Sequence, residues 1–398
     1  MKIVSLKVTG FRSLAQTDWA PADLNVLIGP NASGKSNLLR MLDLLVAAAQ
    51  GGLGKHVQRE GGIEPLLWDG SANEIGVCLR TSPLEQGREI RRHSLTYEIR
   101  LARLGLSSSF RVEQELLGNF WRVEAGLSNQ PFKLIERHQQ HAVVYDENEH
   151  GLTAPEAMIP ETESLLSLAA GPFSQNHWIS KYQQELAAWT VHQDFHTDRE
   201  AEVRRPVVAS SAKQVAPDGQ NLVSVLHTLY TGDRGFKKEV NAAMAAAFGD
   251  EFEELLFPPA ADQRIQMRVR WRSLSREQSA ADLSDGTLRF LFLLAVLANP
   301  EPPPLVAIDE PEIGLHPSML PIVAEYARDA ATRTQIVFTT HSPAFLDAFG
   351  TQAPAVTVVD PQNGKSVFRV LSGENLERWL EHYSLGDVYR SGELESAV

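Results

Sequence analysis

Eight residues, Gly29-Pro30-Asn31-Ala32-Ser33-Gly34-Lys35-Ser36, constrain this chain more than any other part of it. They fit the Walker A pattern of a glycine, four variable residues and Gly-Lys-Ser. The apolar run 24–28 before them reads as a buried strand, and the Leu- and Ala-rich run 37–50 after them reads as a helix. Small residues between a strand and a helix let the backbone curl around a phosphate, with several amide N–H groups pointing inward. The helix N-terminus adds partial positive charge at the same spot. In that frame Gly29, Asn31, Ala32, Ser33, Gly34 and Asn37 belong to a phosphate cradle. Lys35 reaches the β- and γ-phosphates, and the Ser36 hydroxyl sits on Mg²⁺.

With 398 residues the chain is long for one compact core, so a large domain with inserted lobes, or two domains, is expected. Its 43% of hydrophobic residues is enough to build a buried core. The single cysteine, Cys78, excludes an internal disulfide and a Cys₄ zinc site, and a reducing cytoplasm fits best. The N-terminus lacks the long apolar stretch of a signal peptide, and no apolar run reaches membrane-spanning length. A formal net charge of −13 means that overall electrostatics will not gather this protein on nucleic acid. Any DNA contact has to come from a local basic patch and weaken with salt.

The alternation in residues 2–8 reads as a strand, the glycine-rich stretch 51–62 as a loop, and the repeated alternation over 74–146 as antiparallel hairpins. From about residue 161 to 254 the pattern turns helical. The expected organisation is α/β: residues 1–73 with 276–398 form a P-loop core around a mixed sheet. Residues 74–160 form an inserted β-rich lobe and 161–275 a helical lobe.

Three further motifs follow in the C-terminal third. The apolar strand Leu305-Val306-Ala307-Ile308 runs into Asp309-Glu310, as in Walker B. Carboxylates at a strand's C-terminal edge sit where open α/β sheets bind ligands. Asp309 would hold Mg²⁺ through its water shell, and Glu310 would polarise an attacking water. Leu283-Ser284-Asp285-Gly286-Thr287 precedes an apolar helix, so Ser284 can be both N-cap and phosphate donor, with Gly286 allowing close backbone approach. His341, in Thr340-His341-Ser342-Pro343, can hydrogen-bond a γ-phosphate and a water. Read alone, the second motif is an ordinary helix start and His341 a structural histidine. Their order in the chain joins them to the first.

The four motifs in this order resemble the ABC-type ATPases, and within them the RecF/SMC/OLD-like branch of AAA-family ATPases. The matching residues are Phe11-Arg12-Ser13-Leu14, Gly29 to Asn37, Leu283 to Arg289, Ile308 to Glu312, Gly314-Leu315-His316-Pro317 and Thr339 to Pro343, with Asp218 to Leu222 similar to a segment of stand-alone members. The resemblance implies ATP and Mg²⁺ as ligands and a head-to-tail homodimer with two equivalent sites. Ser284 and Gly286 then act in trans, Glu310 is the general base, His341 is the switch histidine, and Arg289 relays the dimer state to the lobes. Asp285 stands where transporters have glycine, and a carboxylate beside a triphosphate is repulsive, so it should point elsewhere. A Q-loop glutamine is expected between Walker A and the Leu283–Thr287 signature, with Gln139, Gln140 and Gln175 as candidates. The 57 residues after His341 are too few for an appended Toprim nuclease domain. The output implied is DNA maintenance or anti-phage and anti-plasmid defence, through duplex DNA or a separately encoded effector such as a nuclease, with no membrane involved. A nucleotide-gated scaffold with slow turnover is the alternative.

Arg268, Arg270 and Arg272 alternate on one strand, with Arg264 and Arg276 flanking, and suit either nucleic-acid phosphates or neighbouring carboxylates. Arg88, Arg91, Arg92, Arg100 and Arg103 form a second such group. His192 and His196, four apart, would share a helix face and could bind a metal, although no third ligand is evident. Trp178 and Trp189 read as packing residues.

Overall fold

The computed structural model describes residues 1–84, 94–154, 158–171, 176–371 and 384–391. Arg88, Arg91, Arg92 and Gln175 lie outside them. The chain divides into two compact units, residues 1–22, 28–189 and 357–371, and residues 23–27, 190–356 and 372–398.

In chain order the first half contains β1 (Ile3–Phe11), β2 (Leu14–Trp19), β3 (Leu24–Ile28), α1 (Lys35–Gln50), α2 (Leu53–Arg59), β4 (Glu74–Thr81), β5 (Thr96–Arg103), β6 (Phe110–Asn119), β7 (Phe132–His138), β8 (His141–Asp146), β9 (Gly151–Thr153), α3 (Leu165–Ala169) and α4 (His177–Ala187). The first unit is built on one antiparallel sheet in the order β2-β1-β4-β5-β6-β7-β8-β9. Alternation decides its faces: Leu6 and Val8 are buried, while Lys7 and Thr9 between and beyond them are exposed. The hairpins of 74–154 therefore continue the sheet that β1 and β2 begin. Helices α1 and α4 are tied by side chain to backbone: Gln183 donates to the Ala49 carbonyl at 2.7 Å, and Gln50 to that of Ala187 at 2.8 Å. The buried Glu115 carboxylate accepts the Leu165 and Leu166 amides at 2.6 and 2.8 Å and so caps α3.

The stretch 51–62, expected as a loop, contains α2. Leu53 and Val57, one turn apart, are buried beneath it, and that burial outweighs the glycines on either side.

The second unit holds β10 (Thr190–His192), β11 (Val207–Val208), α5 (Leu222–Gly232), α6 (Arg234–Phe248), β12 (Phe252–Leu256), β13 (Arg264–Ile265), β14 (Arg268–Trp271), β15 (Gln278–Ser279), α7 (Asp285–Leu297), β16 (Leu305–Asp309), α8 (Leu320–Ala331), β17 (Gln335–Thr339) and α9 (Pro343–Asp347). Strands β10, β16, β17 and β3 run parallel in that order. Leu305–Ile308 and Ile336–Phe338 are buried throughout, as strands covered on both faces require. From Phe290 to Leu297 α7 is buried on every side, so it is a core helix. A small antiparallel sheet, β12-β14-β15, and the pair β11-β13 complete the unit. The chain then forms β18 (Ala355–Gln362) and β19 (Lys365–Leu371), of which residues 357–371 belong to the first unit.

Candidate functional site

The phosphate loop lies in the first unit. Lys35 opens α1 and is only 4% exposed, with its ammonium donating to the carbonyls of Gly29 and Pro30 at 2.9 and 3.1 Å. Asn31 and Ala32 are exposed at the tip, whereas Ser33 is buried. Ala32 has φ +63, a left-handed conformation that a short side chain tolerates best at an exposed turn. Residue 34 caps α1 with no side-chain hydrogen bond, the arrangement that suits an anion at a helix start. Asn37 faces Ser13, donating to its hydroxyl at 2.7 Å.

The acidic residues gather in the second unit, at the C-terminal ends of its parallel strands. Asp309, Thr339 and Leu27 occupy one row across β16, β17 and β3. Gly29, where the phosphate loop starts, follows Leu27 by two residues along the chain. The Thr339 hydroxyl donates to the Asp309 carboxylate, and the Glu310 amide reaches the Thr339 carbonyl at 3.1 Å. Glu310 turns sharply there, with φ +46, and its carboxylate lies 3.3 Å from His341 Nε2. Both side chains remain about one-third exposed. Glu312 aligns this turn by accepting the Thr340 hydroxyl and the His341 amide, the latter at 3.4 Å. Burial pushes the Glu312 carboxyl above its ordinary range.

Of the glutamines proposed above, Gln175 lies outside the described residues, and Gln139 and Gln140 do not stand here. Gln139 and Gln140 lie in the β7–β8 hairpin, bonded to Glu113 and Glu161. The residue that does is Gln193. It follows β10, whose His192 pairs with Ile308, and it shares a cavity of about 30 Å³ with Arg289, Asp309 and Glu310. The Asp218–Leu222 segment braces this stretch: His192 Nδ1 lies 3.1 Å from the Pro217 carbonyl, and Gln220 donates to that of His196 at 3.0 Å.

The two histidines do not share a helix face, because His192 ends strand β10 and residues 193–197 form no helix. His192 is buried edge-on against Phe292, and His196 is exposed. No group of three metal-ligating side chains occurs among the described residues. Burial pushes the His192 imidazole down to about 4. Unfolded, it titrates near 6.5. Its contribution to stability is therefore complete above that pH and is lost as pH falls towards 4, by about 1.4 kcal/mol per unit. Denaturant unfolding at pH 7, 6 and 5 checks this: a His192→Asn variant should lose that part of the slope.

Ser284 caps α7, accepting the Thr287 amide at 3.1 Å. Gly286 is required by packing, since a Cβ there would lie 2.6 Å from the Gly314 carbonyl. Asp285 points to Arg204, 2.5 Å away. Arg204, 9% exposed, also donates to the carbonyls of Thr197, Ala280, Ala281 and Leu283 and so fixes the loop that enters α7. Arg204→Ala should lower the unfolding free energy by about 2–4 kcal/mol, because the 9%-exposed guanidinium is removed from several part-buried carbonyls at once. Asp285→Asn, at a side chain 64% exposed, should cost under about 1 kcal/mol. Denaturant titration of both variants separates the two. Arg289 lies against Gly314, with its guanidinium 6.0 Å from the Phe195 ring.

The arginines of β14 meet carboxylates: Arg270 pairs with Glu254 and Glu277, and Arg268 with Glu277. Trp189 is buried and Trp178 half-buried. Among the described residues no helix is long and apolar enough to cross a membrane.

Comparison with known proteins gives the class. Residues 1–73 match the family described as "AAA ATPase domain", and residues 179–347 match "AAA domain, putative AbiEii toxin, Type IV TA system". No curated protein matches the chain. Among solved structures, an SMC head bound to the C-winged helix domain of ScpA is 16% identical over 94% of this chain and 100% of its own, with a TM-score of 0.58. An SMC head with an extended coiled coil, bound to the C-terminal domain of ScpA derived from Pyrococcus furiosus, is 14% identical over 96% and 98%, with a TM-score of 0.54. The fold is that of the ABC-type ATPase heads. Two stretches of the chain are thus similar to AAA-family ATPase domains, and its fold is similar to that of SMC heads.

Proposed function

We propose that this protein binds Mg²⁺·ATP, closes head to tail with a second copy of itself and hydrolyses the γ-phosphate. The observation that carries the reading is the convergence of Gln193, Asp309, Glu310 and His341 at the strand ends, in the row from which β3 leads into the phosphate loop. The residues fit the ligands. The Gly29–Ser36 backbone and Lys35 suit a triphosphate, and the Ser36 hydroxyl, the Asp309 carboxylate and the Gln193 amide oxygen are the hard donors that Mg²⁺ prefers. The ion supplies charge neutralisation at the phosphates. Glu310 orients the attacking water and takes its proton, while His341 holds Glu310 and reaches the γ-phosphate. Ser284 and Gly286 of the partner subunit close the site, and Asp285 is kept off the phosphates by Arg204.

In this reading 1–73 with 276–398 is the cytoplasmic ATPase core, and the rest converts closure into an output on duplex DNA or a separately encoded effector, in DNA maintenance or in defence against phage and plasmids. ATPase rate with and without duplex DNA, at low and moderate salt, is the test. Mg²⁺-dependent phosphate release is expected. No stimulation and no DNA binding at low salt would remove the DNA limb. ATP-driven assembly with hardly any turnover would select the scaffold reading instead.

A further inference from the structure

The phosphate loop is held from behind by the β18–β19 hairpin. A Cβ on Gly29 would lie 2.2 Å from the Val359 carbonyl, and one on Gly34 would lie 2.0 Å from Ser366 Oγ and 2.4 Å from Ser13 Oγ. Both glycines have positive φ, +147 and +102. The absent side chains therefore make room for the hairpin and Ser13.

Ser366, 1% exposed on β19, lies 2.5 Å from the Ser33 carbonyl and 2.7 Å from Ser13 Oγ, and its amide donates to the Ser13 carbonyl at 2.7 Å. Asn37 Nδ2 donates to Ser13 Oγ at 2.7 Å. Each hydroxyl has one proton, and the Ser33 carbonyl can only accept. The donors therefore run one way: Asn37 amide to Ser13, Ser13 hydroxyl to Ser366, Ser366 hydroxyl to Ser33. This relay joins the loop residue before Gly34 to the first turn of α1 through two serines that lie outside the loop.

We propose that Ser366 and Ser13 are positioning residues that lock the phosphate loop in its phosphate-accepting shape before nucleotide arrives. The proposal rests on the nucleotide-binding reading above for its effect on affinity, but not for its effect on the loop itself. Without the lock, the loop has to be ordered at the moment of binding, so affinity falls while chemistry at saturation does not.

The test uses the full chain, with Ser366→Ala, Ser13→Ala and the double variant. Calorimetric titration with Mg²⁺·ATP should give a Kd about tenfold weaker for each single variant, the size expected for one lost hydrogen bond. The double variant should be no worse than either single, because one relay is broken in each case. Turnover at saturating ATP should stay within about twofold. Hydrogen exchange without nucleotide should be faster across 29–36 in all three and unchanged across β5 and β6. Kd values within twofold of the parent, additive losses in the double variant, or unaltered exchange across 29–36 would each overturn the lock. If the parent chain itself fails to bind ATP, the functional reading fails, and the exchange result still decides on the lock.

Discussion

Lys35→Met is expected to weaken Mg²⁺·ATP binding by at least about a hundredfold and to abolish hydrolysis, with the fold intact. The ammonium is buried between the Gly29 and Pro30 carbonyls, so it is already inside the loop and needs only a short movement to meet a phosphate. A charge-assisted hydrogen bond contributes about 1.5–3 kcal/mol, and two such bonds to phosphate oxygens account for that loss. Methionine keeps the apolar stem that packs in the site, so the thermal midpoint without nucleotide should move by only a few degrees. Equilibrium binding of labelled ATP and a melting curve separate the two effects. Unchanged binding would remove the phosphate role of the loop.

Glu310→Gln separates binding from chemistry. The substitution keeps the shape of the side chain, removes the negative charge beside His341 and exchanges one acceptor oxygen for an amide donor. A positioned base contributes about 10²–10⁴ to the rate. Single-turnover phosphate release should fall by that factor while ATP affinity is kept, and light scattering should find the variant accumulating as a dimer in Mg²⁺·ATP. Unaltered release would show that another group activates the water. The +46° φ at position 310 is the same for glutamine as for glutamate, so the comparison is not confounded by backbone strain.

What the sequence made legible follows from how local the determinants are. The phosphate loop, the apolar strand before Asp309 and the Ser284 cap are each set within about ten residues, and their elements form where periodicity and turn chemistry put them. Gln193 escaped because β10 has three residues, too short for an alternation to register, and its strand character comes from pairing with β16, more than a hundred residues away. The same non-local pairing keeps His192 and His196 off a helix. Arg204 reaches across 81 residues to Asp285, so nothing near either one announces the contact. The hydroxyls of Ser13 and Ser366 are 353 residues apart. Helix α2 was hidden for another reason: glycines argued for a loop, and two buried side chains overrode them. The charged strand β14 was legible only as two alternatives, because carboxylates on β12 and the turn before β15 decide between them.

The most direct measurement of the central claim mixes two inactive variants. Lys35→Met disables the phosphate loop of the subunit that carries it, and Ser284→Arg, carried by the other subunit, blocks the α7 cap that this other subunit would offer its twin. In a mixed dimer one composite site carries both lesions and the other carries neither. Each variant alone should be inactive, and an equal mixture should recover about a quarter of the parent rate, since half the dimers are mixed and each has one intact site. Hydrolysis by Ser284→Arg alone, or no recovery in mixtures shown to contain mixed dimers, would contradict a nucleotide shared between one subunit's loop and the other's serine.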